Sequence, residues 1–295
     1  MSAAHTPSLR ADLTIAAISF IWGATFVIVK DALAGVSTLL FLALRFSFAS
    51  ALLFAVFRRQ ARAPLERGAF WGGMMCGLFL FLGYALQTAG LRHTTASRSA
   101  FITGLYIVIV PVLASCLARR LPRLTEAAAV AAALAGTALL TSSAAGFDFN
   151  PGDLMTLGCA LAFSAHIVAV AHWTRRMDYE WLTLLQVGAV AGWSLATFFW
   201  LETPYVEWTP RLFFALGATG ALATALSFSL YTWAQRHTTA TRAALIFALE
   251  PVFAGLVAWL YAGEAWTRRS LAGAALILAA ILLVELKPFR RTAQA

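Results

Sequence analysis

The chain has 295 residues, 61% of them hydrophobic and 12% charged, with a formal net charge of +9. A soluble domain carries about 25% charged residues, so this composition leaves too little polar surface for a water-exposed globule and points to a membrane protein. The basic residues stand between apolar runs instead of clustering on one soluble face, which argues against a nucleic-acid partner.

In chain order, residues 1–12 form a short polar tail. Apolar stretches near the ~20 residues that cross a bilayer follow at 13–30, 36–57, 69–89, 97–118 and 124–141. The first of them ends in "WGATFVIVK" with no small-residue cleavage pattern, so it reads as an uncleaved anchor. The connector 142–152, rich in Gly, Pro and Asn, separates this first half (13–141) from a second (153–287) with apolar stretches at 153–174, 180–201, 210–235, 239–262 and 270–287. Residues 288–295 form a C-terminal tail. The expected fold class is an all-α integral membrane protein of ten transmembrane helices, because lipid cannot satisfy exposed backbone groups and no alternating barrel pattern is visible. Cys76, Cys116 and Cys159 lie inside apolar runs without metal or disulfide spacing and read as packing residues.

The halves resemble each other. "RHTTASRSA" at residues 92–100 and "RHTTATRAA" at 236–244 share seven of nine residues. At an offset of 141, Trp22 and Thr25 correspond to Phe163 and His166, and Arg45 to Gln186; at an offset of 140, Pro111 corresponds to Pro251. Five spans per copy require the second copy to run through the membrane upside down. Thr94, Thr95, Thr238 and Thr239 are placed to cap the fourth and ninth helices, with the flanking arginines anchored at the interface. With a cytoplasmic N-terminus, the cytoplasmic connectors hold fifteen Lys or Arg, among them Arg58, Arg62, Arg120, Arg123, Lys287, Arg290 and Arg291, against six on the other side. Both termini are therefore expected inside.

Few ionisable residues fall at membrane depth, where they face a cavity or a partner. Glu250 stands about 18 Å into the ninth span, beside Pro251, whose missing N–H loosens the turn. It reads either as a moving gate and proton site or as a packing residue paired with Arg45. Arg45 either receives a substrate carboxylate or locks helices together. His166 either relays protons or bonds a neighbouring helix, and Gln186 offers a neutral hydrogen bond. Aromatic and amide groups recur at helical spacing: Phe81, Tyr84 and Gln87; Thr103 and Tyr106; Phe228, Tyr231 and Gln235. With Trp22 and Trp233 they are expected to wall a cavity, and Pro111 and Pro251 to serve gating. Metalloprotease, nucleophile-elbow and phosphate-loop motifs are absent, as are clustered acids, so no enzyme, metal or cofactor is expected.

The segments "SFIWGATFVIVK", "YALQTAGLRHTTASRSAFITGLYIVIVPVLA" and "TRAALIFALEPVFAGLVAWLYAGE" resemble the EamA branch of the drug/metabolite transporter superfamily, from about residue 13 to about residue 287. The resemblance implies ten helices as two inverted five-helix repeats, with helices one to four and six to nine around a central cavity and helices five and ten bracing the outside. It also implies a secondary transporter, with export of amino acids across a bacterial inner membrane as the leading expectation and aromatic or other large apolar ones favoured by the aromatic stripes. A carrier of phosphorylated metabolites or nucleotide sugars belongs to the same superfamily, but phosphates want several cations and only Arg45 lies mid-membrane. A channel or an embedded enzyme ranks lower still. The partners implied are a small-molecule substrate and the lipid bilayer, with the chain acting as a monomer. One departure stands out: "ARRLP" follows the fourth helix where "YAGE" ends the ninth.

The charge count generates a topology test. In a background lacking the native cysteines, an impermeant thiol reagent added outside should label a Cys placed at Gly146 and spare one at Ala61. The reverse pattern overturns the orientation.

Overall fold

A computed structural model describes residues 8–59, 65–119, 124–141, 150–262 and 267–285. Among them the chain is helical, in ten segments: α1 Leu9–Ala32, α2 Thr38–Phe57, α3 Arg67–Leu91, α4 in two parts (Ala96–Thr103 and Tyr106–Leu117), α5 Leu124–Thr141, α6 Pro151–Trp173, α7 Tyr179–Leu201, α8 Pro210–Gln235, α9 in two parts (Ala240–Phe247 and Glu250–Ala262) and α10 Arg268–Glu285. Eight are long and apolar enough to cross a membrane, while the apolar stretches of α5 and α10 are shorter, Ala127–Leu139 and Leu271–Leu283. Large apolar side chains cover the outside, with Trp200 86% exposed and Phe199, Leu117 and Trp71 similarly bare. Such a surface suits lipid and not water.

The helix starts follow from side-chain chemistry. Asn150 accepts from the Asp153 backbone N–H at 3.0 Å, while the Asp153 carboxylate accepts from the Asn150 N–H at 2.9 Å. With Pro151 at the first helical position, this reciprocal cap starts α6 inside the connector drawn at 142–152. Likewise α1 starts at Leu9, within the tail drawn at 1–12. Residues 1–7, 60–64, 142–149 and 288–295 lie outside the described residues, as do Arg62, Arg120, Arg123, Lys287, Arg290, Arg291, most of "ARRLP" and half of "YAGE".

Packing uses glycines where backbones approach closely. A Cβ on Gly72 would strike the Trp173 ring, one on Gly83 the Phe163 ring, and one on Gly90 the backbone of Gly152. Positions rising along α3 thus meet positions falling along α6, so the two run antiparallel. In the same way α5 meets α10 at Gly136, whose Cβ would stand 2.7 Å from the Gly273 carbonyl. At the end of α1, Lys30 Nζ donates to the carbonyls of Leu91 and Thr94. The end of α1, the end of α3 and the start of α4 therefore share one end of the bundle, here the far end; α1 begins at the near end. The far end is also braced by the 202–209 loop. There Tyr205 accepts from the Ser37 N–H at 3.0 Å, and the Glu202 carboxylate takes the Leu40 N–H at 2.9 Å at the start of α2.

Gly23 faces the backbone of α9: an added Cβ would lie 2.7 Å from the Glu250 carbonyl and 3.1 Å from the Ala254 nitrogen. Backbone cannot swing aside as a side chain does, so Gly23→Ala should destabilise the purified protein by about 1–3 kcal/mol in thermal unfolding in detergent. Gly188→Ala, with nothing within 4 Å of the new methyl, should leave the midpoint unchanged or raise it.

Candidate functional site

Helices α4 and α9 are built to one plan. Thr95 caps α4 by accepting from the Arg98 N–H at 3.2 Å, and Thr239 caps α9 by accepting from the Arg242 N–H at 3.2 Å. Each first part runs eight residues and stops at a residue with φ −57° and ψ −13°, Gly104 in one and Ala248 in the other. Each chain then resumes two residues on, at Tyr106 and at Glu250. The match is an offset of 144 throughout, not the 140 that aligned the prolines. Tyr106, not Val110, therefore occupies the place of Glu250; Pro251 answers to Ile107 and Pro111 to Gly255. The break in α4 falls at Gly104–Leu105, six residues before Pro111, so that proline does not make it.

A cavity lies where these breaks meet the middle of the bundle. Trp22, Arg45, Tyr84, Gln87, Thr103, Tyr106, His166, Phe228, Tyr231 and Glu250, ten of the side chains singled out from the sequence, line it together. Sequence reasoning missed Phe26, Phe163 and Phe247 among the remaining liners. The empty space among these side chains is about 690 Å³, counting the open solvent at the mouth. Val29, Thr88 and Leu91 extend the lining toward the far end. Of the remaining residues, Gln186 stands behind His166, Trp233 packs on the His237 ring at 4.9 Å, and the Gln235 amide donates to the Ile167 carbonyl at 3.4 Å. Phe81, Pro111 and Pro251 also stand outside the lining.

The walls are aromatic and mutually braced. The Trp22 ring packs on Phe247 at 5.1 Å and on Phe228 at 5.3 Å, and Tyr84 meets Phe163 at 5.2 Å and Phe46 at 5.1 Å, in tilted and edge-on geometries that aromatic rings favour. Trp22 Nε1 donates to the Ala223 carbonyl at 2.8 Å. That carbonyl lies in Ala218–Leu226, where α8 is wound as a π-helix. There Thr224 and Ser227 donate to carbonyls five residues back, Thr219 and Leu222.

Polar groups interrupt these walls at chosen points. Arg45, 2% exposed, donates through Nε to Thr224 Oγ1 at 2.8 Å, and its guanidinium lies 4.8 Å from the Tyr84 ring centre and 5.3 Å from that of Phe46. Glu250, 6% exposed, has the Tyr106 hydroxyl beside it. Arg45 and Glu250 form no ion pair, which removes the packing-pair reading of Glu250. Thr232 donates to the Phe228 carbonyl at 2.6 Å, so its oxygen accepts from Gln186 Nε2 at 3.0 Å. This leaves Gln186 Oε1 to accept from His166 Nε2 at 2.7 Å, fixing the hydrogen on that ring nitrogen. Gln87 donates to Thr103 Oγ1 at 3.2 Å.

Each end of the bundle carries a matching ion pair between the two halves of the chain. At the far end Arg98 meets Asp153 at 2.7 Å, with Thr94 donating to the same carboxylate at 3.0 Å. At the near end Arg242 makes a two-pronged contact with Asp12 at 2.8 and 3.1 Å, and Thr238 donates to it at 3.5 Å. Thus Thr95 and Thr239 cap, whereas Thr94 and Thr238 serve the carboxylates, and the arginines grip the other half of the chain instead of lipid headgroups. Asp12 and Asp153 went unnoticed in the sequence, although they are separated by 141 residues, the offset of Trp22 and Phe163. Asp12→Asn should lower thermal stability in detergent by about 3 kcal/mol, because a buried arginine loses its counter-charge. Asp153→Asn should cost less, since the Arg98 side chain is 28% exposed and keeps water. Exchanging the pair, Asp12→Arg with Arg242→Asp, should recover part of the loss.

Comparison with known proteins comes to the same architecture. The description "EamA-like transporter family" matches residues 9–142 and again residues 150–286. An uncharacterized transporter of Archaeoglobus fulgidus is 33% identical over 286 residues, covering 95% of this chain and 87% of that protein. The uncharacterized transporter YvbV of Bacillus subtilis is 25% identical, covering 95% and 93%. A solved crystal structure at 21% identity superposes with a TM-score of 0.78 over 94% of this chain and 98% of that one, which is a likeness of fold.

Proposed function

The chain belongs to the EamA-like transporter family, and from that premise we propose that it is a secondary transporter that exports small amphipathic metabolites by alternating access, amino acids with aromatic or other large apolar side chains foremost. It is a multi-pass membrane protein whose relatives are named transporters. Our reading places it in a bacterial inner membrane as a monomer with both termini in the cytoplasm, its two matched halves inverted with respect to each other. The inversion is supported by the ends: Lys30 closes α1 at the far end, where Asp153 opens α6.

The observation that carries the substrate reading is the combination of aromatic walls with buried charge in one cavity: Trp22, Phe228 and Phe247 on one side, Tyr84 and Phe163 on another, and Arg45 and Glu250 among them. A solute of hydrocarbon alone would leave the charges unmet. A strongly anionic one would find Arg45 as the one arginine or lysine in the lining among the described residues, which weighs against phosphorylated metabolites. Ion pairs that join the two halves at both ends favour a carrier over an open channel.

A bacterium overproducing this chain should tolerate toxic analogues of aromatic or large apolar amino acids and release more of the natural ones. Resistance confined to phosphorylated or strongly cationic compounds in a broad panel overturns the amino-acid reading.

A further inference from the structure

We propose that Arg45 and Glu250 form a bipolar receptor, Arg45 taking the carboxylate and Glu250 the ammonium group of a zwitterionic solute. The proposal rests on the transport reading above and narrows its substrate class to molecules that carry both charges. It assigns the Glu250 charge to the solute and not to a coupling proton.

The argument begins with cost. A buried charge without a counter-charge is expensive, and a protein ordinarily relieves it by pairing. This chain does so at both ends of the bundle, where Arg98 and Arg242 meet Asp153 and Asp12. In the cavity it does not, although a cation and an anion line the same space. Arg45 is drawn away by Thr224, which takes Nε, and lies against the faces of Tyr84 and Phe46. Its Nη1 and Nη2 have no carboxylate partner among the described residues. Glu250 is fixed at the start of the second part of α9, its backbone against Gly23 and its carboxylate beside Tyr106. Neither side chain has a neutralising charge of its own, and each is held short of the other.

Depth permits a single solute to reach both. Arg45 is seven residues into α2 from the far end, about 10 Å deep, and Glu250 is ten residues into α9 from the near end, about 15 Å deep in a core about 30 Å thick. The axial offset is therefore about 5 Å. Tyr84, whose ring lies 4.8 Å from the Arg45 guanidinium, lines the same cavity as Glu250. The guanidinium offers the two-pronged geometry that a carboxylate matches, and an ammonium group carries three donors for the Glu250 carboxylate and the hydroxyl of Tyr106. An anion or a cation alone would neutralise one wall and leave the other charge bare; a zwitterion neutralises both.

The test is counterflow of labelled tryptophan in proteoliposomes containing the full chain, with unlabelled competitors. Tryptophan methyl ester lacks the carboxylate and N-acetyltryptophan lacks the ammonium, and each should compete about tenfold or more weakly than tryptophan, since each forfeits a charge-assisted contact. Arg45→Gln should abolish the discrimination against the ester and keep that against the N-acetyl compound; Glu250→Gln should do the opposite. Wild-type competition by either derivative as strong as that of tryptophan overturns the bipolar receptor, and this arm needs no variant to fold. A well-folded variant that loses neither discrimination overturns the assignment of its residue. If tryptophan, phenylalanine and leucine all fail to exchange, the amino-acid reading falls and the receptor with it. Exchange of all three with no penalty for the derivatives removes the receptor and leaves the transport reading standing.

Discussion

The structure turns on the absence of water inside the bilayer, where a charge must find its partner within the protein. The chain answers this constraint in two ways. At the ends it pairs charges across the halves, Asp12 with Arg242 and Asp153 with Arg98. In the middle it keeps Arg45 and Glu250 apart, each 6% exposed or less. The paired sites join the two halves at the ends, and the unpaired ones line the space between them.

Both devices descend from the same repeated segment. Each RHTTA line supplies a threonine that caps, a threonine that donates to an aspartate, and an arginine that grips it. Ten residues past each capping threonine's successor helix start, the two copies part: α9 places Glu250 where α4 places Tyr106. The duplicated frame thus sets a carboxylate and a phenol at matched positions facing one cavity. A second departure is α8, whose π-wound stretch offers the Ala223 carbonyl to Trp22 and the Thr224 hydroxyl to Arg45. These departures gather around the cavity, where identical halves would have produced identical walls.

Much of the architecture was legible in the sequence because bilayer thickness imposes a length on every span. The ten helical segments and most of the cavity residues, from Trp22 to Glu250, follow from hydropathy and helical spacing. Trp233 and Gln235 stand outside the lining because spacing along one helix says which residues share a face, not which neighbour that face meets, while Gln186, aligned with Arg45, spends its amide on His166 and Thr232. The alignment of the prolines at an offset of 140 failed for a different reason. Pro111 and Pro251 look alike in an apolar run, yet helix breaks at Gly104–Leu105 and Ala248–Leu249 arise two turns after the threonine caps, and only the cap fixes that count. Asp12 and Asp153 lay at span edges, where charges are ordinary, and only their common offset from Trp22 and Phe163 set them apart.

The matched breaks bear on how such a bundle can open at one end at a time. The part of α4 before its break carries Arg98, and the part of α9 before its break carries Arg242. Each latch arginine therefore sits on a short eight-residue arm joined to the rest of its helix through a non-α turn, with Thr103 or Phe247 lining the cavity at the arm's inner end. The arm of α9 is packed into the bundle, with Ala243, Ala244, Leu245, Ile246 and Phe247 all buried. Because the two arms begin at opposite ends and finish at the same cavity, a solute touching Thr103 and Phe247 contacts both at once. In each copy five residues, about a turn and a half of helix, separate the arginine that meets the aspartate from the side chain that lines the cavity, Arg98 from Thr103 and Arg242 from Phe247.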